Sequence, residues 1–182
     1  MEIKPLSLSG VFEMAFQPKI DQRGYFLRSY DQTIFVENGL NTSWVQENEA
    51  LSVKKGTVRG LHFQKPPNSE IKLVRVVKGA ILDAFVDIRR HSPTYGRWGT
   101  IELTQENHKA VYIPKGFAHG YCSLTDDSVV LYKVDARYSP ESEGGLRWND
   151  SDIGIPWPVT YPNVSAKDAA LPHLRDFVTP FE

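Results

Sequence analysis

An antiparallel β-sandwich or barrel is the fold class the sequence predicts, and three observations predict it. Eight strand-like runs follow one another between residues 44 and 135. Short turn-forming clusters divide them where alternating β and α units would need helix-length segments, which excludes a parallel α/β sheet. The length agrees, since 182 residues suffice for one domain with a substantial core, and a single domain over 1–182 is expected.

Taken in order, residues 6–16 mix apolar positions with Gly10, and Asp21-Gln-Arg-Gly24 then supplies a turn before Tyr25-Phe26. That pattern predicts two short strands around a loop. Thr33 to Asn38, closed by Gly39, predicts a short helix with Thr33 near its start. The eight β-runs are 44–53, 57–64, 71–77, 80–88, 97–104, 109–113, 119–124 and 128–135. Lys54-Lys-Gly56, Pro66-Pro-Asn68, Gly79, Pro93, Glu106-Asn107, Pro114-Lys-Gly116 and Asp126-Asp127 punctuate them. From Tyr138 to Ser165 the chain is rich in Pro, Gly and Ser, which reads as a long ordered cover over the β-body, and a second short helix is expected from Ser165.

Charge and composition narrow the function classes. Twenty-one basic and twenty-two acidic residues leave a net charge of -1, so no global field argues for nucleic acid or an anionic membrane. Any phosphate binding has to be local. The single cysteine, Cys122, excludes an intramolecular disulfide or a multi-cysteine zinc site and reads as buried filler in a reducing compartment. The first residues, Met1-Glu-Ile-Lys-Pro-Leu-Ser7, lack the apolar stretch of a signal peptide, and no later run approaches a membrane span. A cytoplasmic location with no membrane partner is expected.

Strand phase selects the chemistry. Over 57–64, Val58, Gly60, His62 and Gln64 share one face and Arg59, Leu61 and Phe63 the other. Lys72 is in phase with Val74 and Val76, which aims a cation into an apolar interior, a placement that calls for a functional reason. A lysine sharing a pocket with a histidine suits proton abstraction next to a carbonyl: the imidazole takes the proton and the ammonium stabilises the enolate oxygen. Tyr132, in phase with Val130 and Val134, reads equally as a core tyrosine or as a site group. Arg23 and Arg59 each adjoin a glycine that admits close backbone approach, and paired arginines suit a diphosphate. Gln46-Glu-Asn48 offers hydrogen bonds to a base or sugar. Ser165-Ala-Lys-Asp168 has capping-box spacing, so spacing alone gives Asp168 a structural task. His91, His108 and His173 sit in polar or proline-flanked stretches and receive no function.

Gly56, His62 and Gln64, followed later by Pro114-Lys-Gly116-Phe-Ala-His119, resemble the paired motifs of the cupin superfamily, whose small jelly roll often carries a metal. Gln64 stands where those metal sites have a second histidine, and no carboxylate falls at the expected place. Two histidines beside an ammonium make a poor cation site, so no metal and no cofactor are expected.

A longer set of blocks narrows the resemblance. Arg23-Gly-Tyr-Phe26, Gln46-Glu-Asn48, Arg59-Gly-Leu-His-Phe-Gln64, Lys72-Leu-Val-Arg75, Ile113 to Gly120, Leu131-Tyr-Lys133, Tyr138-Ser-Pro140, Trp148-Asn-Asp150 and Ser165 to Asp168 closely resemble the dTDP-4-dehydrorhamnose 3,5-epimerases. The match runs from about residue 8 to 172. It implies a metal-free cupin-type jelly roll with short peripheral helices, a homodimer, and a sugar-nucleotide substrate epimerised at C3 and C5. It further implies His62 as base with Asp168 orienting it, which displaces the capping reading, Lys72 as enolate stabiliser and Tyr132 as acid on the opposite sugar face. Arg23 and Arg59 would hold the diphosphate, Gln46, Asn48 and Tyr138 would contact the nucleotide, and Phe26, His119 and Trp148 would line the site. Arg28, Glu47 and the Pro66-Pro-Asn-Ser69 loop depart from the family pattern, which leaves C3-only or C5-only epimerisation open. Two other classes remain beside it: a metal-dependent cupin oxygenase, disfavoured by Gln64, and a non-catalytic sugar-nucleotide module, which has no need of His62, Lys72 and Tyr132 together.

Overall fold

Alternation of side chains decides how the strands stack. In the computed structural model, which describes residues 1–182, all eight expected runs are strands: β5 (Gln46–Ser52), β6 (Val58–Gln64), β7 (Lys72–Lys78), β8 (Ala80–Asp87), β9 (Trp98–Thr104), β10 (Lys109–Ile113), β11 (Phe117–Ser123) and β12 (Ser128–Val134). Before them come β1 (Glu2–Pro5), β2 (Phe12–Ala15) and the hairpin β3 (Lys19–Asp21) and β4 (Gly24–Phe26); after them comes β13 (Glu143–Gly145). A six-stranded sheet, ordered β1-β2-β10-β7-β12-β5, faces a five-stranded sheet, ordered β13-β6-β11-β8-β9. Neighbours within both sheets pair antiparallel.

Three apolar layers follow from the period of two. Val74, Val76, Val111 and Val130 of the larger sheet meet Ile81, Phe85, Leu103 and Phe117 of the smaller one between the sheets. The outer face of the smaller sheet, with Leu61, Phe63, Ala84, Val86 and Ala118, is covered by Leu146, Ile153, Ile155 and Phe181 of the C-terminal segment, the cover expected after Tyr138. On the outer face of the larger sheet, Met14, Leu73, Ala110 and Tyr112 pack under Phe35. Phe35 belongs to α1 (Gln32–Glu37), which is capped by Asp31, whose Oδ1 accepts from the Thr33 N–H at 3.1 Å, so the helix begins slightly before the expected Thr33. A second helix, α2 (Ala166–Ala169), starts after Ser165 as expected.

Some boundaries differ for physical reasons. β11 begins at Phe117, two residues ahead of the expected run, because the turn is complete at Gly116 with its positive φ of 85°. β13 is Glu143-Gly-Gly145, with no intrinsic strand preference; it exists because β6 offers an unpaired edge, against which Glu143, Gly144 and Gly145 register with Gln64, Phe63 and His62. β1 lies ahead of the expected N-terminal strand and closes the far edge of the larger sheet against β2.

One deviation carries the site. Strict alternation over β6 would turn Arg59 away from His62, together with Leu61 and Phe63. In the β6–β11 ladder, however, His62 opposes His119 and Arg59 opposes Tyr121, so β6 advances three residues while β11 advances two. The extra residue is a bulge, which brings Arg59 and His62 to the same side while Leu61 and Phe63 stay beneath the outer cover. Gly60 makes it feasible: its φ is +127°, and a Cβ there would fall 2.5 Å from Gly120 Cα.

Candidate active site

A cavity of about 730 Å³ opens between the sheets, floored by β6, β7, β11 and β12, with β5 along one side and residues 163–168 along another. That size suits a small organic ligand. Lys72 reaches it through the predicted phase: its residue is only 9% exposed, and its Nζ lies 3.3 Å from Glu70 Oε1 and 3.5 Å from the His62 carbonyl. A buried ammonium is tolerable here because a carboxylate compensates it.

His62 and Asp168, 106 residues apart in sequence, meet at 2.7 Å between Nε2 and Oδ1. The second carboxylate oxygen accepts from the Gly60 N–H at 3.2 Å, inside the bulge. Burial pushes the Asp168 carboxyl up, but the hydrogen bond and charge of His62, with the Gly60 and Ser165 bonds, outweigh it and hold the group below the usual carboxylate range. Ser165 Oγ accepts from the Asp168 N–H at 3.0 Å, so the serine caps α2. The cap expected from the spacing is present in that bond, and the carboxylate in addition meets His62 and the Gly60 N–H, contacts that the spacing does not account for.

Tyr132 enters from β12, on the sheet opposite His62, flanked in phase by Val130 and Val134, all three lining the cavity. Burial first, then the negative charge of Glu70, raises its hydroxyl above the ordinary phenol value. His119 lies directly across the ladder from His62, and its Nε2 is 2.8 Å from Oδ2 of Asp83. Asp83 is fully buried; burial raises its carboxyl, against the pull of His119 and Lys72. Sequence reasoning missed Asp83, although its phase with Ile81 and Phe85 carried the same signal that singled out Lys72: a charge aimed at the interior.

The other end of the cavity is cationic. Arg59 donates from Nη2 to the Leu51 carbonyl at 3.0 Å and from Nε to Ser52 Oγ at 3.4 Å, both neutral acceptors that fix the guanidinium without cancelling its charge. Gln46, Asn48 and Tyr138 line the same cavity. Gln46 Oε1 accepts from the Tyr138 N–H at 2.6 Å, and the Tyr138 hydroxyl donates to Glu143 Oε2 at 3.0 Å. Lys167 donates to that same oxygen at 2.7 Å, forming a polar chain at the mouth that the sequence reading also missed. Gln64 is occupied as a tether: its amide donates to the carbonyls of Asn68 at 2.9 Å and Arg137 at 3.1 Å and accepts from the Ser139 N–H at 2.7 Å. It thereby holds the loop that carries Tyr138. No three His, Cys, Asp or Glu side chains gather in metal-binding geometry.

Three expected site residues lie elsewhere. Arg23 and Phe26 sit on the β3–β4 hairpin, outside the cavity of their own chain; the Arg23 side chain is 85% exposed and paired with Asp21 at 2.6 Å. Trp148 does not line the cavity either. After Leu146 the chain leaves the edge of β6 and runs over the outer face, where the Trp148 carbonyl accepts from Trp157 Nε1 at 2.7 Å.

The dTDP-4-dehydrorhamnose 3,5-epimerase family model matches residues 5–176. The chain belongs to that family. It is therefore an epimerase, an isomerase-class enzyme, with the cupin jelly roll of its relatives. The dTDP-4-dehydrorhamnose 3,5-epimerase of Salmonella typhimurium is 47% identical over 165 residues, covering 88% of this chain and 90% of its own. The crystal structure of the Bacillus anthracis 3,5-epimerase with TDP and PPi bound superposes with a TM-score of 0.93 at 42% identity, covering 95% of this chain and 99% of that one. The Legionella pneumophila epimerase in complex with dTDP-4-keto-L-rhamnose gives 0.92 at 35% identity, covering 97% and 94%.

Proposed function

We propose that the chain converts dTDP-4-dehydro-6-deoxy-D-glucose to dTDP-4-dehydro-L-rhamnose by inverting C3 and C5, each next to the C4 ketone. The observation that carries this reading is the placement of His62 and Tyr132 on opposing sheets of one cavity, with Lys72 between apolar neighbours beside them. An acid and a base on opposite sides of a sugar ring are what inversion requires. The ketone acidifies both C–H bonds, so one base serves both positions.

In this reading His62 removes the proton from the carbon, with Asp168 setting its tautomer and supporting its charged form. Electrons of the broken C–H bond move into the enolate, whose oxygen is stabilised by the Lys72 ammonium. Tyr132 then gives its hydroxyl proton to the other face of the carbon and regains one from solvent, while His62 releases its proton to solvent. His119 lines the sugar end. Arg59 holds the diphosphate, and Gln46, Asn48 and Tyr138 contact the nucleotide. No step calls for a metal or cofactor.

NMR of the products formed from dTDP-4-dehydro-6-deoxy-D-glucose in deuterated water tests the reading. Label at C3 and C5 with formation of the L-rhamno product is expected. Label at one position alone would make the protein a C3-only or C5-only epimerase, and no label with tight binding would make it a binding module.

The same reading includes a homodimer of a single-domain chain. Ile20, Tyr25 and Phe26 on the hairpin are 78%, 58% and 63% exposed, an apolar tip that association would cover. Isologous pairing that carries each hairpin to the partner's cavity would put Arg23 beside a diphosphate already held by Arg59. Mixing Arg23→Ala with His62→Ala protein tests this: a mixed dimer regains one complete site only if Arg23 acts across the interface. No recovery, or a monomer at micromolar concentration, would contradict it. A cytoplasmic location belongs to the reading as well, and no helix is long and apolar enough to cross a membrane.

A further inference from the structure

The Pro66-Pro-Asn-Ser69 loop, which departs from the family pattern, joins β6 to β7 and has no part in the reaction proposed above. It folds back at once: the Asn68 N–H donates to the Lys65 carbonyl at 3.0 Å. That turn aims the Asn68 amide at a single 3₁₀ turn, Pro140–Ser142, where its Nδ2 donates to Ser139 Oγ at 3.1 Å and to Ser142 Oγ at 2.9 Å. Both serines are buried. The Ser139 hydroxyl donates to Glu141 Oε1 at 2.6 Å, so its oxygen can only accept from Asn68, which requires the amide nitrogen on that side. Both N–H bonds of one side chain are thus committed to the two ends of one turn.

Those two ends carry the mouth of the cavity. Tyr138 immediately precedes Ser139, Glu143 immediately follows Ser142, and both line the cavity. Glu143 is fixed by the pairing of β13 with β6, whereas Tyr138 is 59% exposed and has little packing to hold its ring. We propose that Asn68 is a positioning residue for nucleotide binding: by docking the 139–142 turn onto the β6–β7 loop, it keeps Tyr138 beside Glu143 and presents it to the nucleoside end of the substrate. This role rests on the function proposed above. Asn68 and the two serines do not line the cavity, so Asn68 acts through Tyr138 and not by touching the ligand. A ring left unheld would have to be ordered at the moment of binding, and that cost is subtracted from affinity.

Other bonds hold the chain here, and they bound the size of the effect. Gln64 Oε1 takes the Ser139 N–H, Gln46 Oε1 takes the Tyr138 N–H, and the Ser142 carbonyl accepts from the Lys65 N–H at 2.7 Å. Within the turn the Ser142 N–H donates to the Ser139 carbonyl at 3.0 Å. All four fasten backbone. From the loop, Asn68 alone grips the turn by its side chains, which makes it the contact through which the loop acts on Tyr138.

Asn68→Ala removes both side-chain bonds and leaves the backbone ones in place, so the protein should fold. Its Kd for dTDP, read by isothermal titration calorimetry, and its KM for the 4-keto sugar nucleotide should rise together by about fivefold, the scale of ordering one side chain on binding, while kcat at saturation stays unchanged. Ser142→Ala removes one of the two acceptors and should give a smaller rise, which keeps the test in force if Asn68→Ala fails to fold. Tyr138→Ala should itself weaken dTDP binding, and adding Asn68→Ala to it should weaken binding little further, because Asn68 acts through Tyr138. Wild-type dTDP affinity in both Asn68→Ala and Ser142→Ala, whatever their melting temperatures, would overturn the proposal. So would a loss confined to kcat, or a double variant weakened by the full product of the single effects. Wild-type protein that binds dTDP but leaves the 4-keto sugar nucleotide unchanged would instead remove the epimerase reading, and the calorimetry would still decide the role of Asn68.

Discussion

Tyr132 and Asp168 separate the two halves of the proposed reaction most cleanly. Tyr132→Phe keeps the ring and deletes the hydroxyl, so the fold should lose about 1 kcal/mol at most. Abstraction by His62 continues, but the enolate is reprotonated on its original face. In deuterated water the variant should wash label into substrate and form little inverted product, whereas His62→Ala should do neither. Normal epimer formation by a folded Tyr132→Phe protein would remove Tyr132 from the mechanism. Asp168→Asn should lower kcat more than it raises KM, since Asp168 bonds to the imidazole at 2.7 Å and acts through it. A change confined to thermal stability would return Asp168 to its helix-capping role. Arg59→Ala belongs to the other end of the cavity, remote from the reacting carbons, and should raise KM with kcat little changed. A loss confined to turnover would contradict that placement.

At the scale of elements, the bulge in β6 is the feature on which the site depends. It puts Arg59 and His62, three residues apart, into one cavity, and it presents the Gly60 N–H to Asp168. Gly60→Ala would place a Cβ 2.5 Å from the Gly120 backbone at a φ of +127°. The expected cost is about 3 kcal/mol or more, read by denaturant unfolding, because strain and backbone clash act together. Activity should fall beyond what the loss of folded protein explains, since relaxing the bulge would rotate Arg59 or His62 out of the cavity. A stable and fully active Gly60→Ala protein would show that this geometry is dispensable.

Across the whole molecule, acid stability follows from carboxylates distributed through the fold. Burial pushes Asp87 up, but Arg89, Ser92 and Thr94 outweigh it; backbone N–H groups do the same for Asp150, and His62 for Asp168. All three folded-state values lie below the ordinary carboxylate value of about 4, so their stabilisation is complete above that pH and is lost as pH falls through the lowered values. Asp83 has the opposite sign: its raised carboxyl favours the fold at low pH and ceases to do so as pH rises through the raised value. The lowered carboxylates outweigh the one raised, which predicts a melting temperature that drops steeply below about pH 4, with a shallower drop in Asp87→Asn. A flat profile through that range would contradict the assignment.

What the sequence alone determined was set by local pattern. Period-two alternation marked the eight central strands, and phase with valines aimed Lys72 and Tyr132 inward, because side-chain direction along a strand needs no tertiary information. The blocks of family resemblance supplied the role of Asp168 beside His62, which no spacing contained. Tertiary structure decided the rest. The β6 bulge depends on the register against β11, β13 on the free edge of β6, and the His62–Asp168 contact on a C-terminal segment folding back across 106 residues. Trp148 went to the outer cover and Arg23 to an exposed hairpin for the same reason. Alternation says which way a side chain points from its own strand, and only the packing of strands and cover determines what stands opposite it.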